Sequence, residues 1–426
     1  MSALPPAGST VLSFEDARHV VEKQAGLILA GHVQDIETES VPLLAASDRV
    51  LAEVVIADRD LPPFPRSTRD GYAVRSADLF QIPATLEVIG EIKAGEHLDR
   101  IPADIGAGQT VSIMTGAPVP AGADAVVMVE YTSPRGTHVE ITRNVAPGEN
   151  IVPRGAEARS GALLLDRGLR LNEAAIGLAA SVGKSRLQVY KRPRVAILTT
   201  GDEIVDVEAT PGPTQIRNSN SHSLAAQVLR AGGQPVLLPV APDELQGLLN
   251  LIKEGLKSNL LLLTGGVSMG RYDLVEQSLS ELHAEFFFTG AKIQPGRPVV
   301  FGKCGASAPT REKADGYFFG LPGNPVSTMV TFELFVRPLL EAITGRSPSK
   351  LQFLHARLKK EILIKTGLTR FLPAILYGEF ESSEVELVAW QGSGDIAATA
   401  RANCYIVVPP DRERIAAGDW VAVMMR

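Results

Sequence analysis

The sequence predicts a multidomain chain of α/β and β class: a three-layer α/β domain accompanied by a helical domain, a small β domain and a C-terminal β-barrel. Three observations lead there. The chain has 426 residues, whereas one hydrophobic core stops growing near roughly 250–300 residues and longer chains divide. From Pro193 onward, uninterrupted apolar runs ending in glycine alternate with amphipathic helical patterns, the mark of strands covered on both faces by helices in a parallel sheet. On either side of that stretch the apolar runs are short and punctuated by proline and glycine, as in small β domains with tight turns.

Residues 13–35 read as an amphipathic helix, with Phe14, Ala17, Val20, Val21, Ala25 and Ile28 on one side and Ser13 as its N-cap. Residues 51–155 carry "LEVIGEIKAG", "TVSIMTGAPVPAGADAVVMVE" and "HVEITRNVAPGENI", the strands of the small β domain. Residues 156–192 return to a helical pattern between a capping Asn172 and a terminating Gly183, and are assigned with residues 1–50 to the helical domain. The α/β domain is residues 193–345. Its strand runs are "RVAILTTG", "QPVLLPV", "NLLLLTGG" and "YFFGLPGN", and its helices follow Leu224, Val228 and Ala231, then Val275, Leu279 and Leu282, then Val326, Val330 and Leu334. Residues 346–426 hold "ARLKKEILI", "PAILYGEF", "VELVAW", "CYIVVPP" and "DWVAVMM", which suggest the barrel.

A hydrophobic content of 45% with 21% charged residues describes a foldable chain and excludes wholesale disorder. The net charge of −6 argues against a nucleic-acid binder, so an anionic ligand has to be held by a local pocket. Two cysteines, Cys304 and Cys404, without histidines at metal spacing exclude a zinc ribbon and a disulfide framework. The first ten residues lack a basic segment followed by an apolar one, and no run approaches the ~18 apolar residues of a membrane span. The expectation is a cytoplasmic protein with no membrane or nucleic-acid partner.

In an open α/β sheet, ligands bind beyond the carboxyl ends of the strands, where helix N-termini and loop N–H groups face the same edge. The loops at 199–203, 241–244, 264–270 and 321–325 therefore converge. Gly265, Gly266 and Ser268 let backbone amides approach a phosphate or oxyanion, although a tight strand-to-helix turn asks for the same residues. Pro322, Gly323, Asn324 and Pro325 make a similar loop, whose Asn324 also suits a helix cap. Asp202, Glu203, Asp243 and Asp273 together suit a hard cation, best Mg2+, while Asp273 also suits a helix-start charge and Asp243 a cap, the commoner fate of a single Asp. Lys292 and Arg297, with Arg271, offer charge to an anionic substrate or are plain surface. A second cluster, "PPFPRSTRDGYA" at 62–73, stiffens the chain with prolines and presents Asp70 on an Asp-Gly turn, or serves as a rigid hinge.

"PPFPRSTRDGYAV", "IMTGAPVPAGADAVV", "GENIVPRG", "LTTGDEIV", "TGGVSMGRYD", "QPGRPVVFG" and "LPGNPVS" stand in the order and spacing of the MoeA family, and "WQGSGD" with "ANCYIVVPP" resembles its C-terminal barrel. The resemblance covers nearly the whole chain. It implies an elongated four-domain homodimer that finishes molybdenum cofactor. Adenylylated molybdopterin and molybdate would bind in a cleft shared between subunits, and Mg2+-dependent cleavage would release AMP. By matching motifs, Asp70, Thr115, Glu203, Asp243 and Asp273 are the implied functional positions, with Glu203 and Asp243 around metal and pyrophosphate, and Pro322 and Pro325 shape their loop. Three departures stand out: Glu157 where many relatives have Asp, Gly290 and Gln294 where many have lysines, and Cys404 in place of a glycine. A molybdopterin adenylyltransferase, also a candidate partner, would be expected as a single α/β domain. A gephyrin-like scaffold would be expected to carry the module behind another domain and a linker.

Overall fold

The structure, a computed structural model, describes residues 10–32, 36–97, 104–265, 274–305, 316–348, 350–379 and 382–426. Its contacts divide into two compact units. One comprises Met1–Glu39, Asp48–Ala52 and Gln188–Arg426, the other Ser40–Ser47 and Glu53–Leu187.

The first unit opens with α1 (Phe14–His32). The Asp16 N–H donates to Ser13 Oγ at 3.0 Å, so Ser13 caps this helix as its sequence suggests. Ala17, Val21, Ala25 and Ile28 recur on one face and are buried, and they join a core shared with the α/β domain.

The second unit is built on a six-stranded sheet of β1 (Gly71–Val74), β2 (Ala84–Ile92), β3 (Gln109–Ile113), β4 (Ala125–Met128), β5 (Thr132–Arg135) and β6 (His138–Ile141), in the order β4-β1-β3-β2-β6-β5. Alternation along the strands sends Val74 and Val127 to one core and Ala73 and Val126 to another. Gly71 is required where β1 meets β4, because a Cβ there would stand 1.8 Å from the Val127 carbonyl oxygen. The later helix, α2 (Glu173–Ser181), is capped by Asn172, whose side chain accepts from the Ala175 N–H at 2.9 Å.

The α/β domain, in the first unit, runs β7 (Arg194–Thr199), α3 (Ser219–Arg230), β8 (Gln234–Leu237), α4 (Leu245–Gly255), β9 (Leu260–Thr264), α5 (Leu274–Glu281), β10 (Ala284–Phe288), β11 (Val300–Cys304), β12 (Gly316–Leu321) and α6 (Pro325–Thr331). A turn of π-helix at Phe332–Val336 leads into α7 (Arg337–Ile343). The sheet order is β8-β7-β9-β12-β11-β10. Val195, Ile197, Leu260 and Leu262 face a layer that includes α1, α3 and the helices after Asn324, while Ala196, Leu198, Leu261 and Leu263 face α4 and α5. Three layers follow from that alternation.

One expectation needs correcting. The sheet is parallel only across β8, β7, β9 and β12, and β11 and β10 complete it antiparallel. The cause is visible in the chain, since no amphipathic pattern lies between Leu282 and Val326 to supply crossover helices.

The C-terminal strands β13 (Phe353–Leu358), β14 (Thr369–Glu379), β15 (Ser382–Leu387), β16 (Cys404–Val408) and β17 (Trp420–Met425) close into a five-stranded barrel, β14-β15-β13-β17-β16 and back to β14. A short helix, α8 (Ile396–Arg401), is inserted before β16. Phe371, Tyr405 and Met424 of the barrel belong to the same buried cluster as α1 and the sheet, so barrel and α/β domain form one compact unit. Cys404 lies in the barrel core, where burial pushes its thiol up to about 11 and the Ala374 carbonyl stands 3.4 Å from Sγ. It is an inert packing residue. Among the described residues no helix is long and apolar enough to cross a membrane.

Candidate functional site

The chain leaves β7 for β8 on one side and returns to β9 on the other. Neighbouring connections diverge there, which opens a crevice beyond the strand ends. Thr199 and Thr264, the last residues of β7 and β9, are register partners, and Leu321 of β12 pairs with Thr264. A cavity of about 940 Å³ occupies this edge. Its lining draws Thr200 and Glu203 from the loop after β7, Asp243 from that after β8, Gly265 from that after β9 and Pro322–Pro325 from that after β12. Four loops, spread along the chain from Thr200 to Pro325, thus meet because their strands are in register.

Thr264 ties them together. The Thr200 N–H donates to the Thr264 carbonyl at 3.0 Å. Thr264 Oγ1 accepts from Asn220 Nδ2 at 3.0 Å and donates to the Pro322 carbonyl at 3.1 Å. Asn220 Nδ2 also reaches the Gly323 carbonyl at 2.7 Å. Gly265 has φ +90°, and a Cβ there would meet the Thr200 carbonyl oxygen at 2.4 Å, so only glycine fits.

Two alternatives left open by the sequence are decided by these bonds. Asn324 occupies the N-cap position of α6, but its side chain does not cap; Nδ2 donates instead to Ser393 Oγ at 2.9 Å. Asp243 is not a cap either, because Glu244 accepts from the Gly247 N–H at 3.0 Å and fills that position for α4. Asp243 and Glu203 are exposed and line the cavity. Asp202 holds their loops together by accepting from the Asp243 N–H at 3.1 Å.

Lys292 and Arg297 are exposed and are not among the residues lining the cavity. The Lys292 backbone is fixed between two strands, its N–H on the Leu12 carbonyl and its own carbonyl accepting from the Thr369 N–H. Gln294 is held by Arg370, a buried guanidinium pushed down by desolvation and bonded also to the Lys365 carbonyl at 2.6 Å. Gly266, Ser268 and Asp273 lie outside the described residues.

In the second unit, the motif at 62–73 is stitched to two others. Val119 N–H donates to the Pro65 carbonyl, Ser67 N–H to the Ala117 carbonyl and Thr68 N–H to the Asn150 carbonyl. Glu157 pairs with Arg66 at 2.9 Å. Asp70 Oδ1 accepts from the Thr115 N–H at 2.7 Å and from Thr115 Oγ1 at 2.9 Å. The structure therefore brings together two residues 45 positions apart, both of them functional positions implied by the resemblance.

Sequence profiles of the MoeA N-terminal region (domains I and II), a probable molybdopterin binding domain and the MoeA C-terminal region (domain IV) match residues 12–183, 196–342 and 355–425. A molybdopterin molybdenumtransferase of Bacillus subtilis (strain 168) is 33% identical over 399 residues, 91% of this chain and 90% of that protein. The chain belongs to the MoeA family. A Staphylococcus aureus (strain Mu50) protein of the same description is 32% identical over 95% of this chain and 97% of its own length. Among solved structures, a molybdopterin biosynthesis MoeA protein of Pyrococcus horikoshii OT3 superposes with a TM-score of 0.73 at 28% identity, covering 98% of this chain and 100% of that one. Another Pyrococcus MoeA structure gives 0.68 at 30% identity, covering 97% and 99%.

Arg217, Asn218, Ser219 and Asn220 line the cavity although sequence reasoning passed over them. Asn218 caps α3 by accepting from the Ser221 N–H at 3.1 Å, and Thr199 Oγ1 bonds Ser221 Oγ at 2.7 Å. The signal was the run Asn218-Ser219-Asn220-Ser221 directly before the apolar pattern at Leu224, a helix start placed behind a strand end.

The Thr115 N–H, and then its hydroxyl, hold the Asp70 carboxyl below the usual carboxylate range. The group's contribution to stability is thus present above the ordinary aspartate pKa and is lost as pH falls through the lowered one. Thr115→Val should remove the hydroxyl's share and raise the Asp70 pKa part of the way to that of a free aspartate. Carboxyl carbon NMR titration checks this, and an unchanged midpoint would show that the hydroxyl does not act on Asp70.

Proposed function

We propose that this chain is a molybdopterin molybdenumtransferase, inserting molybdate into adenylylated molybdopterin in the last step of cofactor assembly and releasing AMP. The observation that carries the reading is the cavity at the strand edge, where Glu203 and Asp243 share one wall system with the glycine turn at Gly265. Membership of the MoeA family supports it, as does the resemblance of both curated relatives over nearly their whole length.

The donor set fits Mg2+ brought with the substrate. Among the described residues no three His, Cys, Asp or Glu stand close enough to hold a metal by themselves. Mg2+ is ordinarily held by one or two carboxylates together with substrate phosphates and water, and Glu203 and Asp243 supply that number. Bound there, the ion would offset the charge that builds on the phosphates as the P–O–P link between molybdopterin and AMP breaks. Gly201, with φ +135°, lets Glu203 fold back: its carboxylate atoms lie 2.7–2.9 Å from where a Cβ would stand. Gly265 and Gly323 add lining that carries no side chain, where a phosphate can approach the backbone closely. A molybdopterin adenylyltransferase would form the pyrophosphate link to AMP rather than cleave it, so formation against release of AMP separates the two readings.

Glu203→Ala and Asp243→Ala should each stop molybdate-dependent AMP release from adenylylated molybdopterin while leaving the thermal midpoint nearly unchanged, because neither side chain caps a helix. Full activity in either variant removes that residue from the chemistry. We also infer that the working form is a homodimer in which one protomer supplies Asp70 and the other Asp243, on the strength of the sequence resemblance. Inactive Asp70→Ala and Asp243→Ala proteins, dissociated and reassembled at equal amounts, should then regain about a quarter of wild-type activity, since half the dimers are mixed and half of their sites are whole. No recovery, with subunit exchange confirmed by a tag, contradicts the shared site.

A further inference from the structure

Among the described residues, four buried side-chain atoms have no hydrogen-bond partner: Thr200 Oγ1, Asn220 Oδ1, Gln227 Oε1 and Ser278 Oγ. Folded proteins satisfy nearly all such atoms, and an exception calls for a cause. Thr200 and Asn220 both line the cavity, at 3% and 8% exposure, and both are anchored on Thr264.

Their chemistry differs from that of the carboxylates. The Asn220 amide is oriented by its own bonds, because Nδ2 donates to the Thr264 hydroxyl and the Gly323 carbonyl. A flipped amide would set Oδ1 against that carbonyl, two acceptors together. The unmet atom is therefore an acceptor, which repels phosphate and molybdate oxygens and accepts from a neutral N–H or O–H. The Thr200 hydroxyl can donate or accept. It is buried, and Gly265 puts no side chain beside it: a Cβ there would stand 3.1 Å from Oγ1.

We propose that Thr200 and Asn220 are specificity-determining residues that read the heterocyclic end of the substrate, a ring edge carrying an N–H donor beside a second polar atom. This rests on the molybdenumtransferase reading, and deepens it by adding neutral, ring-reading contacts at Thr200 and Asn220 to the charged ones at Glu203 and Asp243. Two rings of adenylylated molybdopterin carry such an edge: the pterin, at its lactam, and the adenine, at its amino group. Burial makes the interaction discriminating, since a ligand without the donor leaves both protein atoms unmet.

Thr200→Val is the informative variant, because Thr200 Oγ1 has no bond within the protein to lose. Full-length wild type, Thr200→Val, Thr200→Ser and Asn220→Ala are titrated with adenylylated molybdopterin, with 5′-AMP and with 6-hydroxymethylpterin, and their thermal midpoints are recorded. Thr200→Val should melt at or above the wild-type midpoint yet bind adenylylated molybdopterin about 3–10-fold more weakly, the size of one neutral hydrogen bond. Thr200→Ser should retain wild-type affinity, and Asn220→Ala should lose both affinity and stability. Weakening confined to 6-hydroxymethylpterin assigns the pair to the pterin, and weakening confined to AMP assigns it to the adenine; either supports the proposal. Equal affinity of Thr200→Val and wild type for all three ligands overturns it, and so does a loss seen with the whole substrate but with neither fragment. If wild type binds none of the three, this proposal and the functional reading fall together. If wild type binds and releases AMP while Thr200→Val matches it, only this proposal falls.

Discussion

The hydroxyl of Thr264 sits where three strand-end loops have to meet, and it both accepts from Asn220 and donates to the Pro322 carbonyl. It can do so because Leu260–Thr264 is buried along its whole length and is held in register between two parallel neighbours. A slip of one residue would turn every side chain of that strand to the other layer and carry the hydroxyl away from both partners. The position of the site is thus a consequence of core packing some distance beneath it. Thr328 extends the network by donating to the Pro322 and Asn324 carbonyls, and Ser393, beside the barrel, accepts from Asn324. Among the described residues around these loops, the buried side-chain atoms without a partner are Thr200 Oγ1 and Asn220 Oδ1, both on residues that line the cavity.

The second unit solves a similar problem without parallel strands. There, backbone hydrogen bonds sew the proline-rich segment to the segments around Ala117 and Asn150, and Gly71 permits the close approach of β1 to β4. Asp70 is then fixed by Thr115 rather than left free on a turn. Its ionised state is favoured by donors and not by a neighbouring cation, since the Thr115 N–H and hydroxyl are the groups that lower its pKa.

Much of this was legible in the sequence because it is local. Ser13 and Asn172 cap where their spacing says they should, the strand runs at Arg194–Thr199, Leu260–Thr264 and Gly316–Leu321 are strands, and the loops carrying Glu203, Asp243, Gly265 and Pro322–Pro325 share one cavity. What escaped depends on partners distant in the chain. Asn324 has the residue type and the position of a cap, but Ser393, 69 positions later, takes its side chain. Asn220 reads as loop polarity until Thr264 and Gly323 are seen beside it. The barrel was legible as five strand runs, whereas its sharing of Phe371, Tyr405 and Met424 with the core of the α/β domain was not, because strand periodicity shows which face is buried and not what covers it.

The dependence of the site on Thr264 is open to a direct measurement. Thr264→Val keeps the shape of the side chain and removes its hydroxyl, leaving Asn220 with one acceptor in place of two and the Pro322 carbonyl with Thr328 alone. Loss of buried hydrogen bonds of this kind costs about 1–3 kcal/mol, a lowering of the thermal midpoint by roughly 2–4 °C for each kcal/mol in a domain of this size. With the fold so retained, molybdate-dependent AMP release should fall much further than stability does, as the loops at 218–221 and 322–324 lose their common anchor. Wild-type turnover by a Thr264→Val protein that melts only slightly lower would contradict the account.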